Sequence, residues 1–317
     1  MLRYALRRVL ETIPTTVGIV LIAFALFNVV GGSPAETLLG KNATPEAIAA
    51  FNHKWGYDKP LFIGREDFFD SQFFRFVGDL CHGNFGYSVE NNEPVIEVLK
   101  RGVGPSLSLT VPILLGCVAL GLMLAMVAAL YRGRTADKAI LVGSTVLMSV
   151  NYVIWVLAGQ FFLAYKAELF PVWGYKNAFY LALPVLIGVL SSVGTDVRFF
   201  RTAILDELYR PYVLTARAKG LSRPAIMLRH VLRNALIPIV AYVSLSIPSL
   251  FAGSLLLESF FGIPGLGAVA INAIHSSDMA VVRATVVLGA LLYQFVNLIT
   301  DLLYGIIDPR VRLSGAK

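Results

Sequence analysis

PSLSLTVPILLGCVALGLMLAMVAALY, residues 105–131, contains no Lys, Arg, Asp or Glu. A helix rises about 1.5 Å per residue and needs about 20 apolar residues to cross the hydrocarbon of a bilayer. This run is long enough. It is too long and too evenly apolar for a barrel strand, which reads as roughly ten alternating residues. A lone strand would leave its backbone groups unmet in lipid. Five further segments read the same way, roughly 12–30, 139–165, 177–195, 234–257 and 284–307. Of these only the last holds a formal charge, Asp301.

Composition agrees. Across 317 residues, 56% are hydrophobic and 15% charged, against about 45–50% and about 25% in soluble domains. Mean hydropathy is +0.70. Too few charged side chains exist to cover a soluble surface of this size, so a cytosolic enzyme, a disordered chain and a collagen-like chain are excluded. Arg3, Arg7 and Arg8 precede an apolar run that continues to Val30. That run is longer than a signal-peptide core, so a retained first span is expected.

The net charge of +7 is distributed by side. Segments 1–11, 132–138, 196–233 and 308–317 hold most of the 27 Lys and Arg. Segments 31–104, 166–176 and 258–283 hold most of the 20 acids. Short basic loops stay on the cytoplasmic side. The expectation is an all-α polytopic membrane protein with six transmembrane helices and both termini cytoplasmic. Residues 259–277 carry no formal charge, but Gly262, Pro264, Gly265 and Gly267 would break a lipid-exposed helix. A seventh span would also place Arg310, Arg312 and Lys317 outside. The expected organisation is therefore a cytoplasmic N-terminus and first span over 1–30, then a large external helical loop over 31–104. A five-span bundle follows over 105–308. It includes a cytoplasmic loop over 196–233 and an external re-entrant or interfacial loop over 259–280. A cytoplasmic tail closes the chain over 309–317.

Short helices are expected to lie on the bundle in the external loop. Thr44-Pro45-Glu46 reads as an N-cap, a proline in the first turn and an acid near the helix start. Phe73–Leu80 and Pro94–Lys100 have mixed apolar and polar faces. The loop also offers a docking surface to an external partner. Gly40-Lys41 does not complete a phosphate-binding loop, since position 35 is Ala and position 42 is Asn. No cofactor is indicated. His53, His82, His230 and His275 are scattered, and Cys81 and Cys117 are unsuited to a shared metal or a disulfide.

The cytoplasmic segment has its own pattern. Pro211 opens a helix through Tyr212–Lys219, and Gly220 closes it in a left-handed turn. Ser222 caps a second helix with Pro224 in its first turn. Leu228, Val231, Leu232 and Ala235 follow at i, i+3, i+4 and i+7 as one apolar face. A DNA-binding helix-turn-helix is disfavoured because flanking spans pin this element near the headgroups. A plain solvated loop does not need a regular apolar face. Docking to a cytoplasmic protein fits best.

TARAKG (Thr215–Gly220) followed by RHVLRNALIP (Arg229–Pro238) resembles the cytoplasmic EAA-type loop of binding-protein-dependent ABC importer permeases, in their oligopeptide/dipeptide and nickel branch. MLRYALRRVLETIPT at the start, GSPAETLLGKNATPEAI, FGYSV at Phe85–Val89, ESFFGIPGLG at Glu258–Gly267 and DLLYGIIDPRVR at Asp301–Arg312 are similar to the same branch. The resemblance covers essentially the whole chain. Departures exist: Leu214 stands at the pattern's Glu, Thr215 at its first Ala, His230 at its Ile and Arg233 at its Pro. Leu61–Phe74 is expanded and aromatic relative to the branch.

The resemblance implies a six-span permease of the bacterial plasma (inner) membrane. Such a subunit pairs with a second permease, often a different chain. It works with two cytoplasmic ATPase subunits and an external solute-binding protein. It is not itself an enzyme, because ATP hydrolysis sits on the separate subunits. Peptides or a related small solute would be the cargo. Thr215, Ala216, Arg217, Ala218, Lys219, Gly220, Arg229 and His230 would form the ATPase-coupling loop, with Ala216 permitting close approach. Asn151, Gln160, Gln294 and Asn297 are polar candidates for the translocation path, although such side chains also bond neighbouring helices. Asp301 is expected to accept a hydrogen bond or pair with a basic residue. Glu11 and Glu258 are assigned no special role. The alternative class is an ion-coupled secondary transporter, which needs buried ionisable groups and often repeats. An intramembrane hydrolase lacks a nucleophile spaced beside a base.

Overall fold

The computed structural model describes residues 2–30, 35, 39, 43–62, 69–88, 90–247 and 254–307. Among these the chain is helical, with one isolated antiparallel bridge between Tyr87 and Pro94. Five helical stretches are long and apolar enough to cross a membrane unbroken. The first is α1 (Leu2–Phe24), which continues as a wider π-turn over Ala25–Val30. The external segment contributes α2 (Pro45–Trp55) and α3 (Gln72–Cys81). The long helix α4 (Val95–Leu130) comes next. A bent pair, α5 (Thr135–Ser149) and α6 (Tyr152–Ala158, continuing to Lys166), precedes α7 (Phe179–Leu208). Then come α8 (Pro211–Ala218), α9 (Arg223–Ile226) and α10 (Leu232–Ser244), the last two fused through a π-turn over Met227–Val231. A second bent pair, α11 (Leu255–Phe261) and α12 (Leu266–His275), leads into α13 (Met279–Ile307). The two pairs bend by 90° and 78°. Each can be a broken span or a re-entrant loop, so five to seven crossings are compatible with the helix inventory.

Three sequence expectations change here. The span expected over 139–165 is not straight. Val150 is extended (φ −83, ψ 126), and the Asn151 side chain accepts from Val153 N at 2.9 Å, so a new helix starts at Tyr152. The apolar run 234–257 is not one helix either: α10 ends at Ser244, and Leu255–Leu257 belong to α11. Lack of charge marks what lipid tolerates but does not mark where the chain turns. Pro94–Lys100 is not a separate surface helix. From Val95 onward it forms the first turns of α4, which runs through Pro105 and Pro112. The expected external loop therefore ends as a helix already continuous with its span.

Local chemistry explains the external segment. Thr44 accepts from Ala47 N and caps α2, as its sequence predicts, and Gly56 closes that helix at φ +72. Ser71 caps α3 through Phe74 N. The aromatic expansion Leu61–Phe74 gains a packing role. Phe62 and Phe73 meet the Phe24 ring of α1 edge-on, with centroids 5.4 and 5.3 Å away. Phe24 is fully buried and packs with Phe76 of α3 and Val287 of α13. Residues 63–68 lie outside the described chain. Asp278 ties this segment to α13, accepting from Ser88 Oγ at 2.6 Å, Glu90 N at 3.3 Å and Val281 N at 3.3 Å.

At the other end of the bundle, Asp137 of α5 is 3% exposed. It receives both arms of the Arg201 guanidinium at 2.8 Å and Gly133 N at 2.8 Å. Removing one member of a buried pair strands the other. Asp137→Ala is therefore expected to lower unfolding stability by about 3 kcal/mol. The Asp137→Ala/Arg201→Ala double variant should recover part of that loss, as a double-mutant cycle in detergent would measure. Equal losses in the single and double variants would remove the pairing argument.

Candidate functional site

Pro211 sits in the first turn of α8 behind Arg210, whose backbone is extended (φ −70, ψ 147). One face of α8 buries Val213 and Ala216 against Phe200, Ile204, Ile226, Met227 and Val231. Tyr212 anchors the helix start, its hydroxyl donating to Glu207 at 2.7 Å. Burial raises the Tyr212 phenol above its ordinary range. The opposite face is exposed and carries Thr215, Arg217, Ala218 and Lys219. Leu214 belongs to the same face and is 65% exposed.

Gly220 then reverses the chain at φ +79, its N–H donating to Arg217 O at 2.9 Å. No neighbour stands within 4 Å of where a Cβ would be. Ser222 holds the N-cap position of α9, but its side chain makes no capping bond. The predicted helix, glycine turn, helix is thus present and leads directly into α10.

Two details differ from the sequence reading. Ala216 was expected on the docking surface, yet it is 6% exposed and packs inward. Its small size serves the seat of α8 on the bundle. Val231 and Ala235 of the expected apolar face are buried, but its N-terminal end is displaced where the π-turn over Met227–Val231 adds a residue to the turn. Met227, Val231, Ala235 and Ile239 are buried, while Leu228 is 59% exposed. Arg229 is exposed and His230 half-buried. Leu214, which stands at the pattern's Glu and lies outside the expected coupling residues, is an exposed residue of this surface. Its signal was available as a large apolar side chain where the pattern has Glu.

A second constellation was missed altogether. Glu258 of α11 is fully buried. It accepts from Ser106 Oγ at 2.8 Å, Ser254 N at 3.0 Å, Gly267 N at 2.7 Å and Ala268 N at 3.1 Å. Ser106 of α4 in turn accepts from Leu266 N at 2.8 Å. The first three backbone N–H groups of α12 are therefore all met by side chains from elsewhere. A helix start leaves such groups unsatisfied and favours an acidic partner. A Cβ at Gly265 would collide with Glu258 and Ser106. The glycines that argued against a seventh straight span are what let Glu258 close the turn between α11 and α12.

The four polar path candidates make no bond to one another. Asn151 caps α6 and is exposed. Gln160 donates to Phe260 O at 2.6 Å and Val172 O at 3.3 Å. Gln294 of α13 donates to Thr15 Oγ1 of α1 at 2.8 Å. Asn297 is half-buried on α13. Asp301 lies 3.6 Å from Arg8, the basic pairing that was expected.

The family described as "Binding-protein-dependent transport system inner membrane component" matches residues 121–313. Its N-terminal companion matches residues 1–110. The chain is 31% identical to "Glutathione transport system permease protein GsiC" of Salmonella paratyphi A over 315 residues, 98% of this chain and 99% of the relative. It is 30% identical to the Escherichia coli protein of the same name, with the same coverage. It is also 30% identical to "Probable peptide ABC transporter permease protein y4tP" of Sinorhizobium fredii over 317 residues, again 98% and 99%. These relatives span both ends of the chain and do not favour an ion-coupled carrier. The chain belongs to the inner-membrane component family of binding-protein-dependent transport systems, and is a membrane permease of an ABC importer that works with ATPase, solute-binding and second permease subunits.

Proposed function

We propose that this chain forms one half of a conduit for peptides or a related small solute, paired with a different permease chain and driven by two cytoplasmic ATPase subunits. Relatives named for glutathione and peptide transport support that cargo class. In this reading the chain hydrolyses no ATP. The α5–α6 pair is one broken span, the α11–α12 pair is an external re-entrant loop, and six spans leave both termini cytoplasmic. The organisation is then 1–30, 31–104, 105–308 and 309–317, as the charge distribution suggests.

The observation that carries the mechanism is α8. Its outer face offers Leu214, Thr215, Arg217, Ala218 and Lys219 to solvent, while its inner face is packed on the bundle. Gly220 and the fused α9–α10 join it to a span without a flexible linker. Closure of an ATPase groove around this face would bias the spans through differential contacts with two states. Arg229 and His230 flank the same surface. The coupling loop thus comprises Thr215, Arg217, Ala218, Lys219, Gly220, Arg229 and His230, with Leu214 added and Ala216 serving as its inner anchor. Exposed Arg217 and Lys219 contribute only about 0–1 kcal/mol each, so Leu214 is the stronger contact. Asn151, Gln160, Gln294 and Asn297 remain the polar candidates for the path, with Gln160 and Gln294 also acting as inter-helix bonds.

Vesicles containing this chain, its permease partner, the ATPases and the binding protein test the reading. Uptake of labelled dipeptide is expected to require internal ATP and all four components. Uptake driven by an ion gradient without the ATPases would refute it.

A further inference from the structure

A cavity of about 200 Å³ opens between α3, the loop after α2, the end of α1 and the start of α13. Its wall includes Asn28, Tyr57, Arg75, Asp79, Phe76 and Arg283. Two guanidinium groups face it. Arg283 lies within the last span candidate and is half-buried, its Cζ 6.0 Å from the Phe76 ring centroid. Arg75 folds back over Gly56, where a Cβ would stand 2.5 Å from its Nη1. Neither arginine has a carboxylate within ion-pair distance among the described residues. A half-buried cation without an anion is costly to desolvate and makes its wall a candidate anion site. The wall also holds the complementary need. Asn28 Oδ1 is buried with no hydrogen-bond donor. Asp79 receives only the neutral Asn84 amide, at 3.1 Å, among the described residues.

We propose that this cavity is a binding site for a small zwitterion, a free α-amino acid or a dipeptide with both termini free. The carboxylate would lie between Arg75 and Arg283, and the ammonium against Asp79 and Asn28 Oδ1. Planar guanidinium forks suit a carboxylate geometrically. An acidic side chain on a partner protein would meet the arginines but leave the Asn28 acceptor orphaned, so the zwitterion accounts for more of the wall. The site lies far along the chain from the coupling loop, in the segment proposed to face outward. It would hold solute before entry. The inference rests on the proposed outward placement and peptide class.

The test uses the full chain in nanodiscs, which expose both faces, with tritiated dialanine as probe. N-acetyl-dialanine and dialanine amide serve as cold competitors. Saturable dialanine binding is expected, weakened at least about tenfold in Arg75→Gln and in Arg283→Gln, because a charged hydrogen bond is lost in each. Dialanine amide should compete poorly against the parent chain. The acetylated probe should compete poorly as well, and Asp79→Asn should reduce the discrimination between acetylated and free dialanine. Arg75 is exposed, so its substitution leaves the fold intact, and an unchanged unfolding midpoint confirms that. Absent dialanine binding, or binding indifferent to Arg75→Gln, overturns the site. Uptake by the assembled vesicles separates the two claims: ATP-dependent peptide uptake without dialanine binding here removes the cavity assignment alone, whereas loss of ATP dependence removes the transport reading itself.

Discussion

Glu258→Ala is expected to lower the stability of the purified chain by about 4 kcal/mol, because one truncation strands several buried donors and each costs about 1–3 kcal/mol. The donors are Ser106 Oγ and the backbone N–H groups of Ser254, Gly267 and Ala268. Glu258 is fully buried, so water does not already share these bonds. The packing around it leaves little slack, since Leu257, Phe261 and Ile263 beside it are also buried. Glu258→Gln should cost about half as much, because one carboxamide oxygen can still accept while the NH₂ group faces donors it cannot serve. Glu258→Asp shortens the reach and should approach the alanine loss. Unfolding midpoints in detergent give the ranking. If alanine costs under about 1 kcal/mol, the α12 start is satisfied by some other group and the argument fails. Steady-state uptake should fall with the folded fraction, and ATPase coupling per folded complex should change much less.

That carboxylate shows where sequence reading stops. Glu258 was visible as an acid beside an apolar run, and proximity to an interface was enough to account for it. Its main side-chain partner, Ser106, is 152 positions away, and nothing local announces that α4 passes the α12 start. The same limit applies to Asp137 and Arg201, separated by 64 positions, and to Arg75 and Arg283. Features set by neighbours in sequence were legible. Thr44 caps its helix, Pro211 opens α8, and Gly220 adopts positive φ, since each depends only on local backbone chemistry. Hydropathy located most of the long helices but not the 90° bend at Asn151, because an uncharged stretch reads the same whether straight or broken. Periodicity placed a helix after Ser222 and the buried Val231 and Ala235 on it, but it included the exposed Leu228 and missed the buried Met227. The 3.6-residue rule assumes regular turns, and the π-turn over Met227–Val231 moves Leu228 to the surface and Met227 inward.

Gly220→Val should reduce ATP-driven uptake about tenfold while leaving folding and membrane insertion unchanged. The backbone at 220 is left-handed, φ +79. An L-residue there costs about 1–2 kcal/mol, and a β-branched one stands at the upper end. No atom lies within 4 Å of the added Cβ, so the strain has no packing clash to add to it. Against a folding free energy of about 5–15 kcal/mol, that loss does not empty the native state. Coupling between sites amounts to only about 1–3 kcal/mol, so the same loss is large on that scale if α8 must be held at a fixed angle to be gripped. Gly220→Asn separates geometry from surface. Asparagine tolerates the left-handed region yet projects a side chain into the open space. Retention of uptake within about threefold in Gly220→Asn, with about tenfold loss in Gly220→Val, assigns the effect to the aim of the turn, on the scale of the strain above. Equal loss in both assigns it to contact between position 220 and the ATPase. Normal uptake in Gly220→Val would mean that α8 carries no power stroke, and the coupling proposal would fall with it.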